Sequence, residues 1–310
     1  MATIDNPAIS PLAPDSFPDL PLIVGARVAT AMSGMKYQGR DDLLLLVMDT
    51  GTTAAGVFTQ SHTSSAPVDW CKRSLKGGSG EAQALIVNSG NANAFTGKNG
   101  DDSVIRTVEA VADRLACRPS KIFVASTGVI GEDLPDDMIT DKLDELCDQL
   151  LPGSWDMAAR AIMTTDTYPK GASRTATIGD AEVSIVGIAK GSGMIAPDMA
   201  TMLSFVFTDA KIPADVLQEL LSDVASRTFN CITVDSDTST SDTLMAFATG
   251  SGGAGNGHPV IETADDPVLA DFKNALFEVC RDLSHQVVRD GEGASKFVTI
   301  NLSGAEDNAS

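Results

Sequence analysis

The chain has 310 residues, 43% hydrophobic and 21% charged, an ordinary globular composition that can bury a large core in one large or two ordinary domains. A formal net charge of -20 and a pI near 4.3 exclude the basic footprint of a nucleic-acid binder, though not a locally positive site for a small anion. The five cysteines (Cys71, Cys117, Cys147, Cys231, Cys280) are widely spaced and odd in number, which reads as reduced, mostly buried thiols of a cytoplasmic protein.

Residues 1–20 are rich in Pro, Asp and Ser and read as a loose arm. Leu22 to Ala31 is strand-like. The apolar runs Leu43 to Met48 and Ala54 to Thr59, with Asp49-Thr-Gly-Thr between them, predict two buried strands joined by a turn. Ala84 to Val87 predicts a short strand that ends in the Asn-rich loop Asn88-Ser-Gly-Asn-Ala-Asn-Ala-Phe-Thr-Gly97. Asn and Gly tolerate left-handed backbone, so turn chemistry accounts for that loop.

Val104, Val108, Val111, Ala112 and Leu115 share one face of an amphipathic helix over Asp101 to Cys117. Lys121 to Ala125 predicts a buried strand ending in Ser126-Thr-Gly-Val-Ile-Gly131. Helices follow over Pro135 to Leu151 and Trp155 to Met163, the second running into Thr164-Thr-Asp-Thr-Tyr-Pro-Lys170. Arg174 to Ala189 reads as a hairpin turning at Gly179-Asp180.

Beyond the Lys190 region, Met202 to Phe207 is β-like and Pro213 to Arg227 is a helix with Pro near its start. Cys231 to Val234 and Leu244 to Ala248 predict strands, Asp266 to Arg289 a long helix, and Lys296 to Leu302 a last strand. Strands before helices recur alongside hairpins. The expectation is therefore an α/β fold, a mixed α+β layered sandwich with mixed sheets, rather than a doubly wound parallel sheet.

The stretch Lys190-Gly-Ser-Gly-Met-Ile-Ala-Pro-Asp-Met-Ala-Thr-Met-Leu-Ser204 links two strands through glycines and a proline. Thr201 follows small Ala200 and opens the second strand. Cleavage of the Ala200–Thr201 bond would free an α-amine with a reference pKa of about 7.7–8.0. That amine can take the hydroxyl proton and activate Thr201 as a nucleophile. Taken alone, Thr201 is a strand threonine; its surroundings carry the functional reading.

Other motifs are weaker. Gly250, Gly252 and Gly255 fit G-x-G-x-x-G, but Asn256-Gly-His-Pro is a poor helix opening for a dinucleotide fingerprint. Asp235, Asp237 and Asp242 read as side chains that satisfy a tight loop sooner than as a cation site. His62, His258 and His285 lack zinc-ligand spacing, and no nucleophile elbow is present. Met1-Ala-Thr-Ile-Asp-Asn-Pro has neither the basic nor the apolar region of a signal peptide.

Six segments, in order, resemble the ornithine acetyltransferases, also called glutamate N-acetyltransferases, which cut themselves to expose an N-terminal threonine. They are Asn88-Ser-Gly-Asn-Ala-Asn-Ala, Ser126-Thr-Gly-Val-Ile-Gly, Thr164-Thr-Asp-Thr-Tyr-Pro-Lys, Lys190 to Leu203, Asp235 to Thr243, and Asp290-Gly-Glu-Gly-Ala. The resemblance implies a fold related to self-processing N-terminal-nucleophile enzymes. It implies a cytoplasmic, self-cleaving acyltransferase of arginine biosynthesis whose α chain is 1–200 and β chain 201–310, assembled as α2β2. Acetyl passes from N-acetyl-ornithine to glutamate through acetyl-Thr201, without a metal or cofactor; some members also use acetyl-CoA.

By the same resemblance, the Thr127 side chain and the Gly128 N–H hold the oxyanion. Thr164 (or its neighbour Thr165), Lys190, Thr201 and Glu292 meet substrate, Lys190 at a carboxylate and Glu292 at an amine. The chain departs from the family pattern at Asp198 and Phe95, where Asn and Cys are common. Ser236 and Ser241 replace the Gly and Asn of the Asp-Gly-Asp-Thr-Ser-Thr-Asn-Asp segment. The chain also stops before a C-terminal region that the family carries, so it is expected to be a C-terminally truncated member. Two other readings stay open: an N-terminal-nucleophile amidase or aminopeptidase, in which water completes the reaction, and an uncleaved homologue that only binds a small amino acid.

Overall fold

The computed structural model describes residues 8–77, 80–195, 202–252 and 258–304. Its strands are β1 (Ala26–Ala31), β2 (Leu43–Phe58), β3 (Glu81–Asn91), β4 (Ile122–Val129), β5 (Lys170–Ile178), β6 (Ala181–Lys190), β7 (Leu203–Thr208) and β8 (Thr243–Ala248). The described strands form one mixed sheet in the order β4-β3-β2-β8-β7-β6-β5, and β1 pairs with β2 outside that path. β3–β4 and β7–β8 are parallel, and the remaining pairs antiparallel. The mixed α/β class expected from the sequence is thus realised, in a single sheet rather than several.

The helices are α1 (Ala66–Gly77), α2 (Gly97–Arg114), α3 (Asp137–Thr140), α4 (Leu143–Asp148), α5 (Trp155–Ala161), α6 (Ala214–Arg227) and α7 (Ala270–Arg289). Side chains alternate across a strand, and both faces of β7 are covered. Phe205 and Phe207 enter the core shared with α1, α2 and α5. Val206 points the other way, into the core built with α6 and α7. Trp155 stacks on Phe207 at 5.2 Å between centroids, and Phe207 on Phe247 at 5.4 Å. Burying each such ring is worth about 1.5–3 kcal/mol, so this stack is a major tie between α5 and the sheet centre. With two apolar faces, β7 reads as a continuous hydrophobic run rather than an alternating one.

Several expectations are corrected. The two runs within residues 43–58 are one strand, β2. The pairing with β3 shifts between Val47 and Thr52 and resumes to Thr53, and β8 pairs with the second half from Thr53 to Phe58. The loop signal at Asp49-Thr-Gly-Thr therefore marks a register irregularity, with Gly51 at φ +94°, and not a reversal. Helix α1 was not foreseen. The helix expected over 135–151 is split into α3 and α4, where Asp and Thr side chains compete for backbone groups, as Thr140 does with the Asp137 carbonyl. Residues 231–234 form no strand; a 3-10 turn spans Phe229–Cys231.

Residues 296–302 are not in a strand either, and Val298, Ile300 and Leu302 are exposed. The amino-terminal arm is not loose over its described part. Phe17 and Leu20 pack on the core, Ile23 is buried, and the Trp155 indole N–H donates to the Pro21 carbonyl at 2.9 Å. Of the cysteines only Cys71 and Cys280 are fully buried, and Cys231 is exposed.

Candidate active site

β6 ends at Lys190, which pairs with Leu203 at the start of β7, and Leu203 in turn pairs with Thr243 at the start of β8. Lys190 Nζ donates to Thr127 Oγ1 at 3.2 Å, and both residues are buried. β4 and β6 are not neighbours in the sheet; the side-chain contact joins strand ends that the ladder keeps apart. An ammonium that donates to a hydroxyl oxygen leaves the hydroxyl proton free to donate elsewhere. The Thr127 hydroxyl therefore keeps a proton to donate to a further group.

The Gly128 position follows from the β3–β4 pairing. Ser89 lies opposite Thr127 and Gly90 opposite Gly128, after which the register breaks. Gly128 has φ +135°, and a Cβ there would lie 2.3 Å from the Gly90 carbonyl carbon and 2.6 Å from the Asn91 nitrogen. Gly128 therefore lets the backbones meet where a side chain would not fit. The Asn-rich segment, whose first four residues (88–91) belong to β3 and not to the loop expected after Val87, holds this tip. Ser126 Oγ donates to Asn88 Oδ1 at 2.6 Å, Asn88 Nδ2 to the Asn91 carbonyl at 2.9 Å, and the Asn93 N–H to Asn91 Oδ1 at 2.7 Å. Asn93 and Phe95 both adopt positive φ, so the turn-chemistry reading stands for the part beyond Asn91, and the segment's effect is to brace the β4 tip.

Buried charge surrounds the Lys190 side chain. Burial lowers the Lys190 pKa, the Asp166 carboxylate opposes that, and Lys170 adds to the depression. Burial alone would raise Asp166, but Lys170 and Lys190 together hold it well below the usual carboxylate range. Lys170 is fully buried and pairs with Asp166 Oδ1 at 2.7 Å and with Asp290 Oδ2 at 2.6 Å. Asp166 also accepts from the N–H of Thr164 at 3.0 Å and from that of Gly191 at 2.6 Å. None of Asp166, Lys170 and Asp290 was singled out from the sequence as functional. The available signal was two charged residues in each of two polar segments, Thr164 to Lys170 and Asp290 to Ala294.

Of the residues expected to meet substrate, Thr164 is half-buried and Thr165 exposed. The Thr165 hydroxyl is hydrogen-bonded to that of Ser192 at 2.7 Å. The Glu292 N–H donates to the Ser192 carbonyl at 2.8 Å, and its carboxylate lies against Gly193, where a Cβ would be 2.9 Å from Glu292 Oε1. The Thr164, Lys190 and Glu292 segments thus converge on residues 190–193, and Thr127 joins them through Lys190. Ala200 and Thr201 lie outside the described residues. Their neighbour Met202 is held at the start of β7: its N–H donates to Asp242 Oδ1 at 2.9 Å, and its carbonyl accepts from the Thr243 N–H at 3.0 Å.

Asp242 is fully buried, and burial raises its carboxyl well above the ordinary value. Asp235 accepts from the N–H groups of Met194, Ile195 and Asp237, which bears out the reading of that loop as carboxylates that satisfy backbone. Ser236, which stands where the family segment has Gly, has φ +66°.

A family model described as the ArgJ family matches residues 27–310. The arginine biosynthesis bifunctional protein ArgJ of Bradyrhizobium diazoefficiens is 55% identical over 303 residues, covering 98% of this chain and 73% of the relative. Its counterpart in Brucella suis shows the same identity and coverage. Among solved structures, the ArgJ of Bacillus halodurans aligns at TM-score 0.52 and 35% identity over 57% of this chain and 92% of its own. The Ochrobactrum anthropi L-aminopeptidase D-Ala-esterase/amidase, described as a variant of the Ntn-hydrolase fold, aligns at TM-score 0.51 and 13% identity over 87% of this chain and 85% of its own. At that identity the likeness is one of fold.

Proposed function

The chain belongs to the ArgJ family, and from that premise we propose that it is a glutamate N-acetyltransferase of arginine biosynthesis acting through Thr201. Maturation begins when the Thr201 hydroxyl attacks the Ala200 carbonyl carbon. The peptide C–N bond breaks as an ester forms, which frees the Thr201 amine, and water then opens the ester to an Ala200 carboxylate and the restored Thr201 hydroxyl. The products are an α chain of residues 1–200 and a β chain of residues 201–310, which stay associated as α2β2 in the cytoplasm.

In turnover the Thr201 amine takes the proton of its own hydroxyl, directly or through water. The oxygen attacks the acetyl carbonyl of N-acetyl-ornithine, the C–N bond breaks, and ornithine leaves with the proton. The amine of glutamate then attacks acetyl-Thr201, the ester C–O bond breaks, and the hydroxyl is restored. The Thr127 hydroxyl and the Gly128 N–H stabilise each tetrahedral oxyanion. Lys190 pairs with the substrate carboxylate, Glu292 meets an amine, and Thr164 or Thr165 completes the contact. The chemistry calls for no metal or prosthetic group, and acetyl-CoA is an alternative acetyl donor.

The observation that carries this reading is the buried contact between Lys190 Nζ and Thr127 Oγ1, beside a β7 start that is held by Asp242. It supports a donor group and a cation at one end of the sheet, next to the chain position of Thr201. The test is intact mass under denaturing conditions, with Thr201→Ala alongside, followed by transfer of labelled acetyl from N-acetyl-ornithine to glutamate. Two masses that sum to the chain plus one water, lost in Thr201→Ala, together with labelled N-acetylglutamate, are expected. A single uncut mass overturns the nucleophile assignment. Release of free acetate with no transfer to glutamate replaces the acetyltransferase with an amidase.

A further inference from the structure

We propose that Lys170 is a positioning residue: its buried ammonium locks the Thr164, Lys190 and Glu292 segments into one register. The inference deepens the functional reading above and rests on it for the identity of the substrate. Three separate pieces of chain meet at this side chain. Asp166, in the segment before β5, pairs with Lys170 and binds the N–H groups of Thr164 and Gly191. Asp290, which caps α7, pairs with Lys170 through Oδ2 and accepts from the Thr167 N–H at 2.9 Å and from the Thr167 hydroxyl. Glu292, two residues on, is tied through its own N–H to Ser192.

Lys170, Asp166 and the carboxylate of Asp290 are shielded from water. A buried carboxylate that loses its partner is costly, so neither acid can swing away while the ammonium is present. The arm adds a clasp from outside: the Ser10 N–H donates to Thr167 Oγ1 at 2.9 Å, and Ser10 Oγ donates to the Arg289 carbonyl at 2.6 Å. Lys190 lies in the field of the same Asp166 carboxylate. Lys170 itself makes no contact with Thr127, and its effect on substrate passes through Asp166 and Asp290.

Two variants test this on the full chain. Lys170→Met leaves two buried carboxylates facing a single remaining ammonium. Lys170→Met with Asp290→Asn removes one acid together with the ammonium, so that only Asp166 stays charged there, in the field of Lys190, and this double variant is expected to keep the fold. Amide hydrogen exchange is the first readout, since it needs no turnover. In the double variant the N–H groups of Thr164, Thr167, Gly191 and Glu292 are expected to exchange about tenfold faster or more, together, while strand amides of β7 and β8 keep their protection. The second readout is steady-state kinetics. KM for both substrates is expected to rise about tenfold with kcat changed less than about threefold, because the segments that Asp166 and Asp290 hold carry the groups assigned to substrate binding and not the oxyanion donors.

If the four amides keep wild-type protection in the folded double variant, the locking role is overturned whatever the catalytic assay gives. Faster amides with an unchanged KM overturn the link to substrate. Absence of transfer by the wild type itself counts against the functional reading, and the exchange result still decides the role of Lys170.

Discussion

Replacing Gly128 by Ala tests the close approach that shapes the β4 tip. Two costs are separable there. The first is backbone: φ is +135°, a region nearly confined to glycine, and an L side chain pays about 1–3 kcal/mol to hold it. The second is contact: the added Cβ would sit 2.3 Å from the Gly90 carbonyl carbon and 2.6 Å from the Gly90 oxygen. Those neighbours are backbone atoms of β3, which cannot rotate away, so overpacking adds about 1–3 kcal/mol. The sum is about 2–6 kcal/mol.

Gly131 supplies the control, because it has φ +86° with nothing within 4 Å of its added Cβ. Gly131→Ala pays only the backbone cost. Urea unfolding of both variants in a Thr201→Ala background keeps the comparison within one uncut chain. A loss at Gly128 that exceeds the loss at Gly131 by about 1–3 kcal/mol with unchanged m-value is expected. Equal losses at the two positions would refute the contact argument.

Thr127→Val keeps the shape of the side chain and removes the hydroxyl that accepts from Lys190; kcat is expected to fall about 100- to 1000-fold, and Thr127→Ser to retain most of the activity. The Asp242 carboxyl is raised well above 3.8 by burial, so its contribution to stability is full below that unfolded value and is lost as pH rises through the folded one. Asp242→Asn cannot ionise and is expected to melt above the wild type by a margin that grows from pH 4 toward pH 8; a margin constant with pH would contradict this. Ser236→Gly relieves φ +66° and is expected to stabilise by about 1 kcal/mol, read as a shift in urea midpoint. Native labelling with a thiol reagent is expected to reach exposed Cys231 first. Cys71 and Cys280, pushed up to about 12 by burial, are expected to react only on unfolding, as counted by mass.

The hairpin β5–β6 was legible because it is local. Alternation and a Gly-Asp turn specify it without reference to the rest of the chain, and its registers run unbroken from Lys170–Ala189 to Ile178–Ala181. Helices α2, α6 and α7 were legible for the same reason, each carrying its own apolar face. Strand β2 was not, since Gly51 and its polar neighbours look like a turn unless β8 is known to pair with the second half. The segment 296–302 fails in the opposite sense: it has strand composition, but among the described residues no strand pairs with it, and Leu302 is 92% exposed.

By itself the sequence determined the element types with local periodicity and the family segments, and through those segments it nominated the groups proposed here for the chemistry: Thr201, Lys190, Thr127, Gly128, Glu292. Tertiary structure decided which of them meet. Lys190 and Thr127 are 63 residues apart in sequence and lie on strands that do not pair; only the stacking of strand ends brings the ammonium to the hydroxyl. Tertiary structure likewise buried Lys170 between Asp166 and Asp290, separated by 4 and 120 residues. A lysine in a polar segment reads as solvated surface. Burial turns it into an ion pair because no water remains to replace its two carboxylates.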